Sequence, residues 1–343
     1  MMQLDLATKT LFAEFQETVR ARAAIEAELA EGKTYVRKTV KGKVYWYEQR
    51  YEGGQARQKY FGPSGEENDG RIGKAREACR DGKALLKKLA AIEARQAAML
   101  RKSGLPVLDR RMALLLGRFS DVGLIHRSGV LIGTLAYAAY SGMMGHLFER
   151  STLTTQDIDI ARDDSIEVAS PVIDLKSLLA ERGLECRAVP SLSKKALPSS
   201  YVTSDGIRID FLVPLRGKER EIVRMPRVAG AGATPLRFLD YLIEDPIEAV
   251  LVAPAGGILV TVPRPERFAI HKLIVAAYRP VTESAKREKD LHQAGQLIAV
   301  LAEEQGRELK AAFRVAAKAG KKWERAIGDS RESLPENVRR FLK

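Results

Sequence analysis

Thr155-Gln156-Asp157-Ile158-Asp159-Ile160 alternates polar and apolar residues, as a half-buried strand does. Residues two apart on a strand point the same way, so Asp157 and Asp159 project together while Ile158 and Ile160 enter the core. A second stretch of this kind, Ile207-Arg208-Ile209-Asp210-Phe211-Leu212-Val213, carries a third carboxylate at Asp210. With the two strands side by side, the three carboxylates repel one another unless a cation sits among them, and hard oxygen ligands suit Mg²⁺. Two such ions are what the transfer of a phosphoryl or nucleotidyl group uses. Asp163 and Asp164, just past the first strand, read instead as loop residues in turn or cap roles, and Asp205 before Gly206 reads as a hairpin turn.

Upstream, a strand around Val130-Leu131-Ile132 hands over through Gly133-Thr134 to a helix over 135–144. Backbone N–H groups at such a turn are unsatisfied, and glycine lets a phosphate come close. Alone, a Gly-Thr turn is commonly structural. Followed by Asp-x-Asp on the next strand and a lone Asp on a later one, it becomes the first of three ordered features. Residues 128–148 carry no formal charge over a length that could span a bilayer, but Gly129, Gly133, Gly142, Gly145, Ser141 and His146 dilute the stretch. It reads as a strand, a turn and a buried helix.

The rest of the chain reads as α+β. A helix over 4–30 gives way to a change of period over 34–61, where three strands turn at Lys41-Gly42-Lys43 and Gly53-Gly54. A long helix covers 72–101 and stops at Ser103-Gly104-Leu105-Pro106. After Asp159 come a helix over 171–182 and strands near 186–189, 201–203 and 207–213. A hairpin follows over 246–262, turning at Pro254-Ala255-Gly256-Gly257, and from Pro265 the chain turns helical, over 265–279, 283–304, 307–319 and a short stretch after Pro335. The expected organisation is a helix–hairpin–helix region over 1–110, a mixed-sheet core over 111–263 and a helical domain over 264–343.

At 343 residues the chain can bury a sizeable core. Cys79 and Cys186 have no metal-ligand spacing and point to no disulfide framework, and no secretory or transit pattern opens the chain, so a cytoplasmic protein is expected. The net charge of +13 divides into +8 over 1–111, −2 over 112–263 and +7 over 264–343. A near-neutral middle between basic flanks fits an acidic partner gripped from the sides, most simply nucleic acid; the alternative is an ordinary solvated basic surface. Between Lys33 and Lys59, eight Lys and Arg against two acids are interleaved with Tyr35, Tyr45, Trp46, Tyr47 and Tyr51. That pattern suits stacked bases and phosphates, or equally a hairpin packing its aromatics on flanking helices. Arg314, Lys318, Lys321, Lys322 and Arg325 would extend the basic footprint.

The ordered features Gly133-Thr134, Asp157-Ile158-Asp159 and Asp210 resemble the polymerase-beta-like nucleotidyltransferase superfamily. The helix Pro265-Glu266-Arg267-Phe268-Ala269-Ile270-His271-Lys272-Leu273-Ile274-Val275, the later Lys289-Asp290-Leu291 and the aromatic hairpin look like the bacterial toxin-like and abortive-infection branch. The resemblance implies that Asp157, Asp159 and Asp210 bind two Mg²⁺ ions and that Asp210 helps take the proton of an acceptor hydroxyl. It further implies that Gly133 and Thr134 hold the triphosphate of an NTP, that Lys272 offsets phosphate charge and that Asp290 lines the same pocket. Thr134 replaces the usual serine, and no Arg-Gly pair follows the turn. The activity implied is transfer of an NMP to a hydroxyl, with RNA such as a tRNA end as the first expected acceptor, a protein hydroxyl second and a small molecule third. The rival reading is a nucleic-acid-binding regulator or antitoxin-like protein that kept the fold without turnover. His271 and His126 have no ligand-spaced partners and read as structural.

Overall fold

The computed structural model describes every residue except 1, 32, 53, 54, 154, 164–171, 182, 191–195, 218–220, 226 and 343. Two compact units result, one from Met1–Gln16 with Gln96–Lys343 and the other from Glu17–Arg95. In chain order, β1 (Met2–Gln3) precedes α1 (Leu6–Glu31), and β2 (Thr34–Val40), β3 (Lys43–Glu52) and β4 (Gln55–Pro63) form an antiparallel sheet before α2 (Glu66–Lys102). Lys41 and Gly42, both with positive φ, make the tight turn between β2 and β3 that matches the twist of a hairpin.

The larger unit continues with α3 (Arg110–Asp121), β5 (Val130–Ile132), α4 (Gly133–Met143), β6 (His146–Leu147), α5 (Arg150–Leu153) and β7 (Asp157–Ala161). Next come α6 (Leu175–Ala180), β8 (Cys186–Ala188), β9 (Ser200–Thr203), β10 (Arg208–Pro214), β11 (Val223–Arg224), β12 (Gly232–Leu236) and α7 (Leu239–Ile243). The hairpin of β13 (Ile247–Ala253) and β14 (Gly256–Val262) leads into α8 (Pro265–Tyr278), α9 (Ser284–Glu304), α10 (Gly306–Lys318), α11 (Lys321–Arg331) and α12 (Glu336–Arg339). The architecture is α+β, with a mixed sheet and a helical C-terminal region.

Strands β11, β12, β10, β7 and β5 lie in that order, with β9 also on β10 and β8 on β9. β7 and β10 run parallel, and β5 runs antiparallel to β7. Ile158, Ile160, Ile209 and Phe211 are fully buried, which fixes which face of these strands meets the core and leaves their aspartates on the other. The first turns of α1 pack in the same unit: Leu4 N–H donates to Gly145 O at 2.9 Å, and Phe12 fills the space a Cβ at Gly142 would need.

Several short elements were not anticipated from local pattern. α3 is one: Asp109 caps it by accepting from the N–H groups of Arg111 and Met112, both at 2.9 Å, and Met112, Leu115, Leu116 and Phe119 are buried along one stripe. The helix expected over 171–182 spans Leu175–Ala180, because the Asp174 side chain caps it at Lys176 N–H; Pro171 and Arg182 lie outside the described residues. α7, α11, β11 and β12 are short pieces whose place is set by partners distant in sequence, as when Tyr241 Oη donates to Ala312 O at 3.0 Å. No described helix is long and apolar enough to cross a membrane, and 130–143 forms the expected strand and helix.

Candidate active site

Asp159 and Asp210 are register partners across the parallel β7–β10 ladder, and Asp157 is the partner of Arg208 one step along. The row through Asp159 and Asp210 extends to Ile132 of β5 on one side and Ser200 of β9 on the other. Partners in a ladder point to the same face, and so do residues two apart along a strand. Asp157, Asp159, Asp210, Arg208 and Ser200 therefore share one face of the sheet.

β5 ends at Ile132, and the chain turns at Gly133 with φ +68° to begin α4. A Cβ at Gly133 would collide with Asp159 Oδ2, so only glycine lets the turn close over the carboxylate. Ile132 offers no side-chain cap to α4, leaving its first N–H groups, at Gly133 and Thr134, to whatever lies at the turn. The Gly133–Thr134 turn and the aspartates thus meet at one spot.

The Asp159 carboxyl is pushed up to about 6 from an ordinary 3.8, first by burial and then by the negative charges of Asp210 and Asp157. Lys272 and Arg208 pull in the opposite direction. Arg208 meets Asp210 with its Nε at 3.0 and 2.8 Å from the two carboxylate oxygens, and its Nη2 donates to Ser200 Oγ at 3.0 Å. Ser200 Oγ in turn donates to Asp210 Oδ1.

From the C-terminal helices, Lys272 of α8 donates through Nζ to Asp290 Oδ1 of α9 at 2.6 Å. Arg279 holds the other oxygen of Asp290 through Nε at 3.0 Å and Glu283 through Nη1 at 2.8 Å. Asp290 is buried, and the Lys272 ammonium also lies 5.2 Å from the centre of the Phe268 ring. The Lys289 ammonium is shifted down by burial and by Lys272, against the charges of Asp290 and Asp157. Burial, with Lys272 beside it, pushes the His271 imidazole down to about 3, so it stays neutral near pH 7. The charges of β7 and of α8–α9 thus act on one another within the larger unit.

A divalent cation suits this donor set: three carboxylates on one face, with a buried one whose ionisation its neighbours oppose. Among the described residues, no three or more His, Cys, Asp or Glu side chains are gathered as a metal site. The Asp210 carboxylate is taken up by Arg208 and Ser200. A guanidinium relieves the like-charge repulsion that a cation would otherwise have to relieve.

The rival carboxylates are engaged elsewhere: Asp163 accepts from Arg216 at 2.6 Å, and Asp205 pairs with Arg111 at 2.7 Å beside the turn at Gly206. Asp164 lies outside the described residues. His126 contacts Ser120 Oγ at 3.4 Å, away from the aspartates. Arg208, Ser200 and Arg279 were missed from sequence. Arg208 had a signal, standing two residues before Asp210 on the same strand face; Arg279 follows Lys272 by seven, two helical turns on. Ser200 had none, since only the β9–β10 pairing brings it in.

A family model described as nucleotidyltransferase matches residues 110–318, which is more than half of the chain and contains every residue of the site. No curated protein and no solved structure matches the chain.

Proposed function

Because this chain belongs to the nucleotidyltransferase family, we propose that it joins the NMP of an NTP to an acceptor hydroxyl and releases pyrophosphate, using Asp157, Asp159 and Asp210 as the metal-binding carboxylates. The observation that carries this reading is the meeting of Gly133 with Asp159 Oδ2, which sets the open N-terminus of α4 against the carboxylate pair. Bound Mg²⁺ would supply charge neutralisation on the triphosphate and a lowered pKa for the acceptor hydroxyl.

The chain's own residues have separable tasks in this reading. The Gly133 and Thr134 N–H groups receive phosphate oxygens, helped by the positive end of the α4 dipole. Lys272 brings positive charge to the departing pyrophosphate, and Asp290 orients it from behind through the 2.6 Å contact. Asp210, once released from Arg208, takes the proton of the attacking hydroxyl, and no covalent intermediate on the protein is needed. The basic flanks favour RNA, such as a tRNA end, over a protein acceptor. A toxin-like role and a cytoplasmic setting belong to the same proposal.

The decisive experiment incubates the protein with each α-labelled NTP, Mg²⁺ and total cellular RNA, then reads label on RNA and protein gels. Label should enter an acceptor in the wild type and vanish with Asp159→Ala. Absence of label with all four nucleotides would favour the regulator or antitoxin-like reading, in which the fold binds without turnover.

A further inference from the structure

The three-stranded sheet of Glu17–Arg95 has two dissimilar faces. One is closed. Trp46 is 2% exposed, donates from Nε1 to Asp69 of α2, and is flanked by the guanidinium groups of Arg37 and Arg76 at 4.6 and 5.0 Å from its ring. Phe61 packs edge-on against Tyr35, with Arg71 of α2 over its ring. Here the aromatic residues do what the structural reading of the hairpin expects.

The other face carries a second aromatic group. Tyr47 and Tyr60 are register partners with rings 5.8 Å apart, Tyr45 stands 6.0 Å from Tyr60, and the Lys38 ammonium lies 5.0 Å from the centre of the Tyr47 ring. Tyr60, on the edge strand, is 54% exposed, and Lys38 and Lys43 are exposed as well. Arg57 and Lys59 of the same strand are register partners of Arg50 and Glu48 and belong to the Trp46 face, where Glu48 also pairs with Lys33 and Arg50, so the tyrosine face takes its positive charge from Lys38 and Lys43. Tyr45 and Tyr47 are half-buried, whereas Trp46 on the other face is closed off.

We propose that this open face holds a single-stranded nucleic acid, its bases stacked on Tyr60, Tyr47 and Tyr45 and its phosphates on Lys38 and Lys43. Charge complementarity selects a polyanion: Lys38 and Lys43 stand beside the rings, in a segment over 33–59 that holds eight Lys and Arg to two acids. The aromatic rings select an unpaired strand, because the bases of a duplex already stack on one another and hide their π faces. The inference rests on the nucleotidyl-transfer reading only where it takes the strand for the acceptor; the binding itself does not depend on turnover.

The test is fluorescence anisotropy on the full chain in EDTA without NTP, with labelled twelve-nucleotide single-stranded RNA, the same sequence as DNA, and a twelve-base-pair duplex. The single strands should bind more tightly than the duplex, and comparing RNA with DNA shows whether the 2′-hydroxyl contributes. Tyr60→Ala should weaken single-strand binding about 5- to 150-fold, the range for losing one stacked base, while Tyr60→Phe, which keeps the ring, should stay near wild type. Lys38→Ala should reduce the steepness of the salt dependence by about 0.7 in the log–log slope. Equal binding by Tyr60→Ala and wild type, preference for the duplex, or no binding to either strand would overturn the proposal. Asp159→Asn should bind as wild type does, so loss of labelling in that variant speaks to the transfer reading and loss of binding in Tyr60→Ala to this one.

Discussion

Asp159 Oδ2 occupies the space that a side chain at Gly133 would fill, so any other residue there forces the turn into α4 or the carboxylate to move. Gly133 also sits at φ +68°, which L-residues adopt at a cost. Gly133→Ala should lose about 1–3 kcal/mol of stability from clash and strain together. NTP binding should fall as well, because the turn has to move off Asp159. Urea denaturation alongside an NTP titration checks both, and an unchanged midpoint would mean the turn is not locked.

The raised Asp159 carboxyl makes a signed prediction for the metal-free protein. In the fold it holds its proton up to about pH 6, whereas unfolded it releases it near 3.8. Between those values the folded state binds more protons, so stability falls as pH rises from about 4 to 6 and stays low above. Asp159→Asn removes that penalty and should be the more stable protein at pH 7.5 in EDTA, by up to about 3 kcal/mol. Denaturation at pH 4 and 7.5 with and without Mg²⁺ tests this: Mg²⁺ should stabilise the wild type and leave the asparagine variant nearly unaffected.

Asp290 is buried between Lys272 and Arg279, so its loss leaves Lys272 without its carboxylate and Arg279 with Glu283 alone. Asp290→Ala should cost about 3–5 kcal/mol, the range for breaking a buried pair from one side. Lys272→Met leaves Asp290 its bond to Arg279, so stability should suffer less while kcat falls sharply. The contrast between the two variants in thermal melts and in turnover separates positioning from catalysis.

Arg208 holds both carboxylate oxygens of Asp210, so a cation bound there would compete with it. Arg208→Ala should therefore bind Mg²⁺ more tightly, by a few-fold, in calorimetric titration, and the metal-free variant should be less stable because the aspartates lose their counter-charge. Weaker Mg²⁺ binding in the variant would make Arg208 a partner of the metal site and not its rival.

A neutral His271 predicts acid sensitivity. Its imidazole is depressed to about 3 from 6.5, so the unfolded chain takes up the proton first. The stability it contributes is whole above pH 6.5 and drains away as pH falls toward 3. His271→Gln should flatten that part of the stability profile measured by denaturant titration.

The strand character and shared face of Asp157 and Asp159 were legible in sequence because a period of two is a local property of the backbone. The strand of Asp210, the glycine turn at 133 and the helices carrying Lys272 and Asp290 were legible for the same reason, each being announced by its own neighbours. Short elements such as α7 and β12 were not, since five residues hold little periodicity and tertiary contacts set their bounds.

What local pattern could not contain is which residue lies beside which. The pairing of Asp210 with Asp159, the arrival of Ser200 through β9 and the capture of Asp210 by Arg208 depend on strand order, decided by burial of a whole sheet. So does the separation of the hairpin's aromatics into a buried Trp46 and an exposed Tyr60. Sequence alone determined the chemical types and their spacing; tertiary structure decided which charges meet, because that energy exists only between residues the fold brings together.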